Sequence, residues 1–320
     1  MTGPAAEANL ITCSFRGDLD VCRMLCESID RFVPASIPHS LYVPRADLPL
    51  FVDLASDRRT VAAQEDLLPR WFRKLPLPGP EWRRRLRLPR RNMYVTPYSP
   101  LVRGWIAQQI MKIAATANAS AEIVAHIDSD NVFIRPLKLE HLARDGKVRI
   151  YRNPDMVDLE THRVWQETAG KLLGLPGSRY YGAEYINPFV VWRRSVIRGM
   201  IERIEQIAGR DWRIVLARTP HFAEYVLYGV YADKVLGLDA AGLMPESFTL
   251  CHSRWGDEFA GAEDEESFIR SLRPEHVTCL IQSTIDTSMT KRQAIFDQVA
   301  ALAAEQDQEA VDRLPASVSR

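Results

Sequence analysis

Apolar residues are arranged along this chain in two ways: short consecutive runs, and longer stretches in which they recur every three or four positions. The runs predict buried strands at 10–15 (LITCSF), 39–43 (HSLYV), 49–54 (PLFVDL), 123–127 (IVAHI), 131–137, 147–152 (KVRIYR), the end of 180–192 (YYGAEYINPFVVW), 248–252 (FTLCH) and 279–283. The wider spacing predicts helices over 19–32, 104–118, 162–173, 195–208, 219–236 and from 286 onward. Strands and helices in alternation imply an α/β chain with a mostly parallel central sheet flanked by helices. In 104–118, Ile106, Ile110, Ile113 and Ala117 form the buried stripe, and Trp105, Gln109 and Lys112 share an adjacent face.

Chemistry begins where the run at 123–127 stops. Asp128 and Asp130, with Ser129 between them, stand at the carboxyl end of a predicted strand, where open α/β sheets bind their ligands. A turn at Ser129 would bring both carboxylates to one divalent cation, Mn²⁺ or Mg²⁺, which would take the rest of its shell from diphosphate oxygens and water. A solvated strand exit is the plainer account of the same residues. Asp18 precedes the helix at 19–32 and is expected to cap it.

The segment IVAHIDSDNVFIRPL resembles the DxD segment of glycosyltransferases with the A-type, Rossmann-like fold. With ITCSFRGDLDVC, GWIAQQIMKI, HFAEYVLYGVY and LCHSRW, it resembles a bacterial family of DxD-containing, glycosyltransferase-like proteins over about residues 10 to 285. That resemblance implies a nucleotide-sugar-binding half at 10–136, an acceptor and catalytic half at 137–285, and a C-terminal helix and tail at 286–320. It implies that Asp128, Ser129 and Asp130, with Thr12, Ser14 and Arg16 after the first strand and Gln109 and Lys112 on the preceding helix, hold a nucleotide-diphosphate sugar. His252 would complete the metal site. Glu224 and Tyr228, one helical turn apart, and Glu184, beside Tyr181 and Tyr185, would serve a carbohydrate or glycolipid acceptor, since aromatic rings stack on sugar C–H faces and acids accept from hydroxyls. The setting implied is cell-surface polysaccharide or glycolipid synthesis. Two other readings stay open: a phosphatase or phosphotransferase of the haloacid dehalogenase type with Asp128 as nucleophile, and a non-catalytic nucleotide-sugar-binding protein.

Composition narrows the setting. Forty-one basic residues balance forty-one acidic ones, which argues against nucleic-acid binding by bulk charge. The five cysteines form no CxxC pair and read as small core residues in a reducing compartment. With no signal-like leader in MTGPAAEANL and no apolar run of membrane-spanning length, a cytoplasmic protein is expected. One stretch departs from the average: residues 70–91 carry nine Lys or Arg against Glu81 alone, broken by four prolines and anchored by Trp71, Phe72 and Trp82. It is expected either as a solvated insertion or as a face toward a phosphorylated acceptor or an anionic surface at the inner membrane.

Overall fold

The computed structural model describes residues 7–76, 85, 92–156 and 160–312, so most of the basic insertion and the last eight residues lie outside the described residues. The chain opens with β1 (Ala8–Cys13), α1 (Leu19–Phe32), β2 (His39–Val43), the short helix α2 (Leu48–Phe51) and β3 (Arg59–Ala63). Then come β4 (Arg73–Lys74), β5 (Met93–Thr96), β6 (Ser99–Arg103), α3 (Gly104–Asn118), β7 (Ile123–Ile127) and β8 (Asn131–Phe133). The remainder comprises β9 (Ala143–Arg144), β10 (Lys147–Tyr151), α4 (Glu160–Leu173), β11 (Phe189–Arg193), α5 (Arg194–Ala208), α6 (Trp212–Ala217) and α7 (Glu224–Val230). It closes with β12 (Leu243–Glu246), β13 (Cys251–Arg254), α8 (Ala262–Arg270), β14 (Thr278–Ile281) and α9 (Met289–Asp312).

The architecture is α/β with mixed sheets. A five-stranded sheet has the order β11-β7-β1-β2-β3, in which β7, β1, β2 and β3 run parallel and β11 is antiparallel at one edge. Three three-stranded sheets surround it: β12-β10-β9, β13-β14-β8 and β4-β5-β6. Both faces of the large sheet are covered, as parallel strands require. Leu41 and Val43 pack against Cys22 and Cys26 of α1, and Ile11 and Val124 pack against Ala115 of α3. All five cysteines are buried and free. The main core runs without a break from β1 and α3 through β11, α5 and α7 to β12, so it crosses residue 136. A second core joins Val132 and Ile134 to α8, β14 and α9.

Several elements differ from the sequence expectation: the strands expected at 10–15, 131–137 and 248–252 are Ala8–Cys13, Asn131–Phe133 and Cys251–Arg254, and two others change type or start. Residues 49–54 form α2 and a turn of 3-10 helix (Val52–Leu54) rather than a strand, with Pro49 in the first helical turn, where its missing N–H breaks no bond. The sheet takes Arg59–Ala63 instead. Arg59 is buried there, donating to His39 Nδ1, to the carbonyls of Leu54 and Cys26, and pairing with Asp30, so polarity masks a strand whose charge is satisfied inside. The predicted helix at 219–236 begins only at Glu224 and passes into a π-helix at Tyr231–Leu236.

Among the described residues no helix is long and apolar enough to cross a membrane.

Helix α7 is seated by a close approach. The Tyr185 ring lies where a side chain at Gly229 would project, with a ring atom 2.2 Å from the Cβ position. Gly229→Ala should therefore destabilise the protein by about 1–3 kcal/mol through overpacking, against the ~1 kcal/mol that alanine contributes in an open helix. Urea unfolding measures this directly, and a midpoint at or above that of the wild type would contradict the packing argument.

Candidate active site

The parallel pairings Leu10↔Ala125 and Ile11↔His126 set β1 and β7 side by side, so their carboxyl ends open in the same direction. From β1 the chain crosses by α1 to β2 on one side, while β7 lies on the other. This is the switch point at which an open α/β sheet leaves a crevice. Asp128 leaves β7 into a turn closed by the Asn131 N–H on the Asp128 carbonyl (3.2 Å). From the β1 side, Asp18 accepts a hydrogen bond from Ser129 Oγ (3.0 Å), and Asp130 Oδ2 accepts from the Ser283 N–H beyond β14 (2.7 Å).

Three carboxylates past two strand ends thus feel one another's charge. Partial burial and then the neighbouring Asp128 charge push the Asp130 carboxyl up to about 6. Burial also raises Asp18, against the opposing hydrogen bond from Ser129. Mutual repulsion of this kind is what a cation relieves. Beside them a cleft of about 430 Å³ is lined by Asp18, Asp20, Ser283, Thr284 and Arg292 among others.

A buried lysine organises the other side. Lys112 projects from α3, donates to Asp128 Oδ1 (3.1 Å) and to the Tyr225 hydroxyl, and lies 3.4 Å from Glu224 Oε1. Burial alone would lower its ammonium; the Asp128 carboxylate, the Tyr225 oxygen and Glu224 hold it well above its ordinary value. Burial in turn raises Glu224, with Lys112 opposing the shift. Gln109, one turn earlier on α3, accepts the Glu224 backbone N–H with its Oε1 (3.0 Å) and so caps α7 from outside. Its Nε2 is buried with no hydrogen-bond partner among the described residues.

Of the residues expected at the site, Asp128, Ser129, Asp130, Gln109, Lys112 and Glu224 are brought together. The others are elsewhere. Thr12 lies buried with its hydroxyl on His39 Nε2 (3.0 Å), facing the neighbouring strand. Ser14 is buried past the end of β1, its carbonyl taking the Gln64 side chain. Arg16 turns away to pair with Asp47. Tyr228 is a core residue, stacked on Trp192 at 5.4 Å with its hydroxyl accepting the Arg193 N–H. Tyr185 is likewise core, its hydroxyl on Asp233.

Glu184 organises its own loop. It accepts the N–H groups of Tyr185 and Ile186 and the Nδ1–H of His162 (2.6 Å). His162 stacks near Trp165, which meets Trp105 of α3 at 5.7 Å, so this cluster joins α4 to α3 rather than entering the acid site.

His252 overturns the three-ligand cage. Strand alternation sends neighbouring side chains to opposite faces of β13. Cys251 meets Asn131 on the face toward the acids, while His252 points into the second core, with Nε2 on the Phe268 carbonyl (2.8 Å) and its ring stacked on Phe268 and His276. Among the described residues no three His, Cys, Asp or Glu side chains form a metal cage.

Two residues escaped the sequence reading. Asp18 makes no capping bond in α1 and turns to Ser129 instead. Its signal was an acid just past a strand end, hidden by an equally good reading as a helix cap. Periodicity links Glu224 to Tyr228, but Tyr228 is held on Trp192 and Arg193, and it is the Tyr225 hydroxyl that meets Lys112.

Lys112→Met keeps the stem and removes the charge, leaving Glu224 and Asp128 without it. The expected loss is about 3 kcal/mol near pH 8. A carboxyl raised in the folded state contributes stability below its unfolded value and loses it as pH rises through the folded one, so the deficit should shrink as pH falls from 8 toward 5 and Glu224 takes up a proton. Denaturant unfolding of both proteins across that range checks this; a deficit independent of pH would mean that the ammonium does not neutralise Glu224.

No curated protein matches this chain. A family model described as a family of unknown function, DUF6492, matches residues 9–305 and takes in both strand ends, Lys112, Glu224 and the C-terminal core. The chain belongs to the DUF6492 family.

Proposed function

We propose that this protein is a metal-dependent glycosyltransferase of the A-type fold, moving a sugar from a nucleotide-diphosphate donor to a hydroxyl acceptor. The observation that carries the reading is the place of Asp128 and Asp130 in the turn at the carboxyl end of β7, where Ser129 bonds Asp18 and Ser283 bonds Asp130, next to a cleft of about 430 Å³ that Asp18 and Ser283 line. A cleft of that size suits a small ligand. An acid cluster at a sheet's switch point suits a diphosphate carried on a cation.

Asp128 and Asp130 would hold the Mn²⁺ or Mg²⁺, which when bound stabilises the charge of the departing diphosphate. Lys112 orients Asp128 through its hydrogen bond to Oδ1. Glu224, raised by burial and held by Lys112 and the Gln109 cap on its N–H, takes the proton of the acceptor hydroxyl as its oxygen bonds to the sugar. Tyr225 fixes the ammonium between the two carboxylates.

Isothermal titration with a panel of nucleoside diphosphates should show binding that requires Mn²⁺ and weakens at least about tenfold in Asp130→Ala. Nucleotide binding equally tight in chelator would sink the reading. Glu224→Gln should leave donor binding intact and lower sugar transfer by about 100-fold or more. Wild-type turnover in that variant would remove Glu224 from the reaction while leaving the donor site standing.

A further inference from the structure

The turn that brings Ser283 to Asp130 is held by one buried side chain. Strand β14 ends at Ile281, and residues 282–285 close a β-turn in which the Ile285 N–H is donated to the Gln282 carbonyl (3.0 Å). Ser283 stands at the second position of that turn, so its own N–H is left for Asp130 Oδ2 (2.7 Å). Three carbonyls of the same stretch accept from Arg292, in the first turn of α9. Its guanidinium donates to Ile281, to Gln282 (3.4 Å) and to Ile285 (3.4 Å), and so grips the chain on both sides of Ser283.

Packing alone does not account for an arginine here. Arg292 is 2% exposed, on a helix whose buried positions Ile295, Phe296 and Val299 are apolar and fill the second core. Its Nε is buried with no hydrogen-bond partner among the described residues, which costs stability that an apolar side chain would keep. Burial lowers the guanidinium while Asp130 and Asp18 oppose the shift, so its charge is felt at the acid edge. An apolar residue would fill the space without tying the turn.

We propose that Arg292 is a positioning residue for the acid edge: by clamping the turn on both sides of Ser283 it holds the Ser283 N–H on Asp130, and so sets the direction in which that carboxylate is offered to a divalent cation. This rests on the reading of Asp128 and Asp130 as the ligands of that cation. A lysine at 292 would keep the charge but present a single nitrogen, which does not span three carbonyls as the planar fork does.

The test uses the full chain and Mn²⁺ alone, the free ion being followed by its electron paramagnetic resonance signal. Arg292→Lys should weaken Mn²⁺ binding by about tenfold. Ser283→Pro should do the same, because proline suits the second position of this turn and removes the N–H that Asp130 accepts. The double variant should bind no more weakly than either alone, since both changes act through that one bond. Val299→Ala, which loosens the same core farther along α9, should lower the thermal midpoint and leave Mn²⁺ affinity unchanged. Urea unfolding in chelator reads the link without metal: the effects of Arg292→Lys and Asp130→Ala on the unfolding constant should depart from their product by about threefold or more.

Wild-type Mn²⁺ affinity in Arg292→Lys, an equal loss of affinity in Val299→Ala, or simply multiplicative effects of the two changes in urea would each overturn the proposal. A wild-type protein that binds no Mn²⁺ would remove the cation reading instead, and the coupling in urea would then decide whether Arg292 positions Asp130.

Discussion

A single buried ammonium ties the functional end of this molecule together. Lys112 is almost wholly removed from water, a position that would strip its proton if it stood alone; Asp128, Tyr225 and Glu224 hold it charged, and its own charge opposes the rise that burial imposes on Glu224. The three groups come from α3, from the exit of β7 and from the first turn of α7, so the pairing holds two helices and a strand end in one arrangement. Such a network need not be worth more than an apolar plug of equal volume, but losing one member leaves an unpaired buried charge. That asymmetry confines each member to its neighbours.

The acids beyond Lys112 follow from the direction of the strands. Parallel pairing of β1 with β7 brings two carboxyl ends to one edge, and the chain leaves both ends through polar turns whose backbone groups need partners. Ser129 and Ser283 supply hydrogen bonds to Asp18 and Asp130, which fixes two carboxylates that would otherwise splay apart. Burial, and after it the neighbouring Asp128 charge, raises the Asp130 carboxyl.

Away from that edge, buried polar groups serve packing. Arg59 satisfies His39 and two carbonyls beneath α1; Glu184 gathers the loop before β11 and orients His162; His252 anchors α8 through the Phe268 carbonyl. Each is the kind of residue that reads as chemistry in a one-dimensional string. In each case the hydrogen-bond partner is a backbone group or a side chain far along the chain, which local spacing does not reveal.

What the sequence determined by itself was the local order and the position of the strand-end acids. Helices at 19–32 and 104–118 and strands at 39–43 and 123–127 agree with the structure to the residue, because apolar period and turn residues act over a few positions and the tertiary fold had only to use them. The acids at 128 and 130 were legible for the same reason: an apolar run that stops at a carboxylate marks a strand end. Tertiary structure decided which distant groups meet there. Asp18 joined them because β1 and β7 are neighbours, Tyr225 stands there rather than Tyr228 because Tyr228 packs on Trp192 with its hydroxyl on the Arg193 N–H, and His252 was excluded because one residue of alternation on β13 sends it to the opposite face. Sequence spacing carries the period of a strand or helix, whereas the face that a period presents to a remote partner depends on where the element begins and what it pairs with.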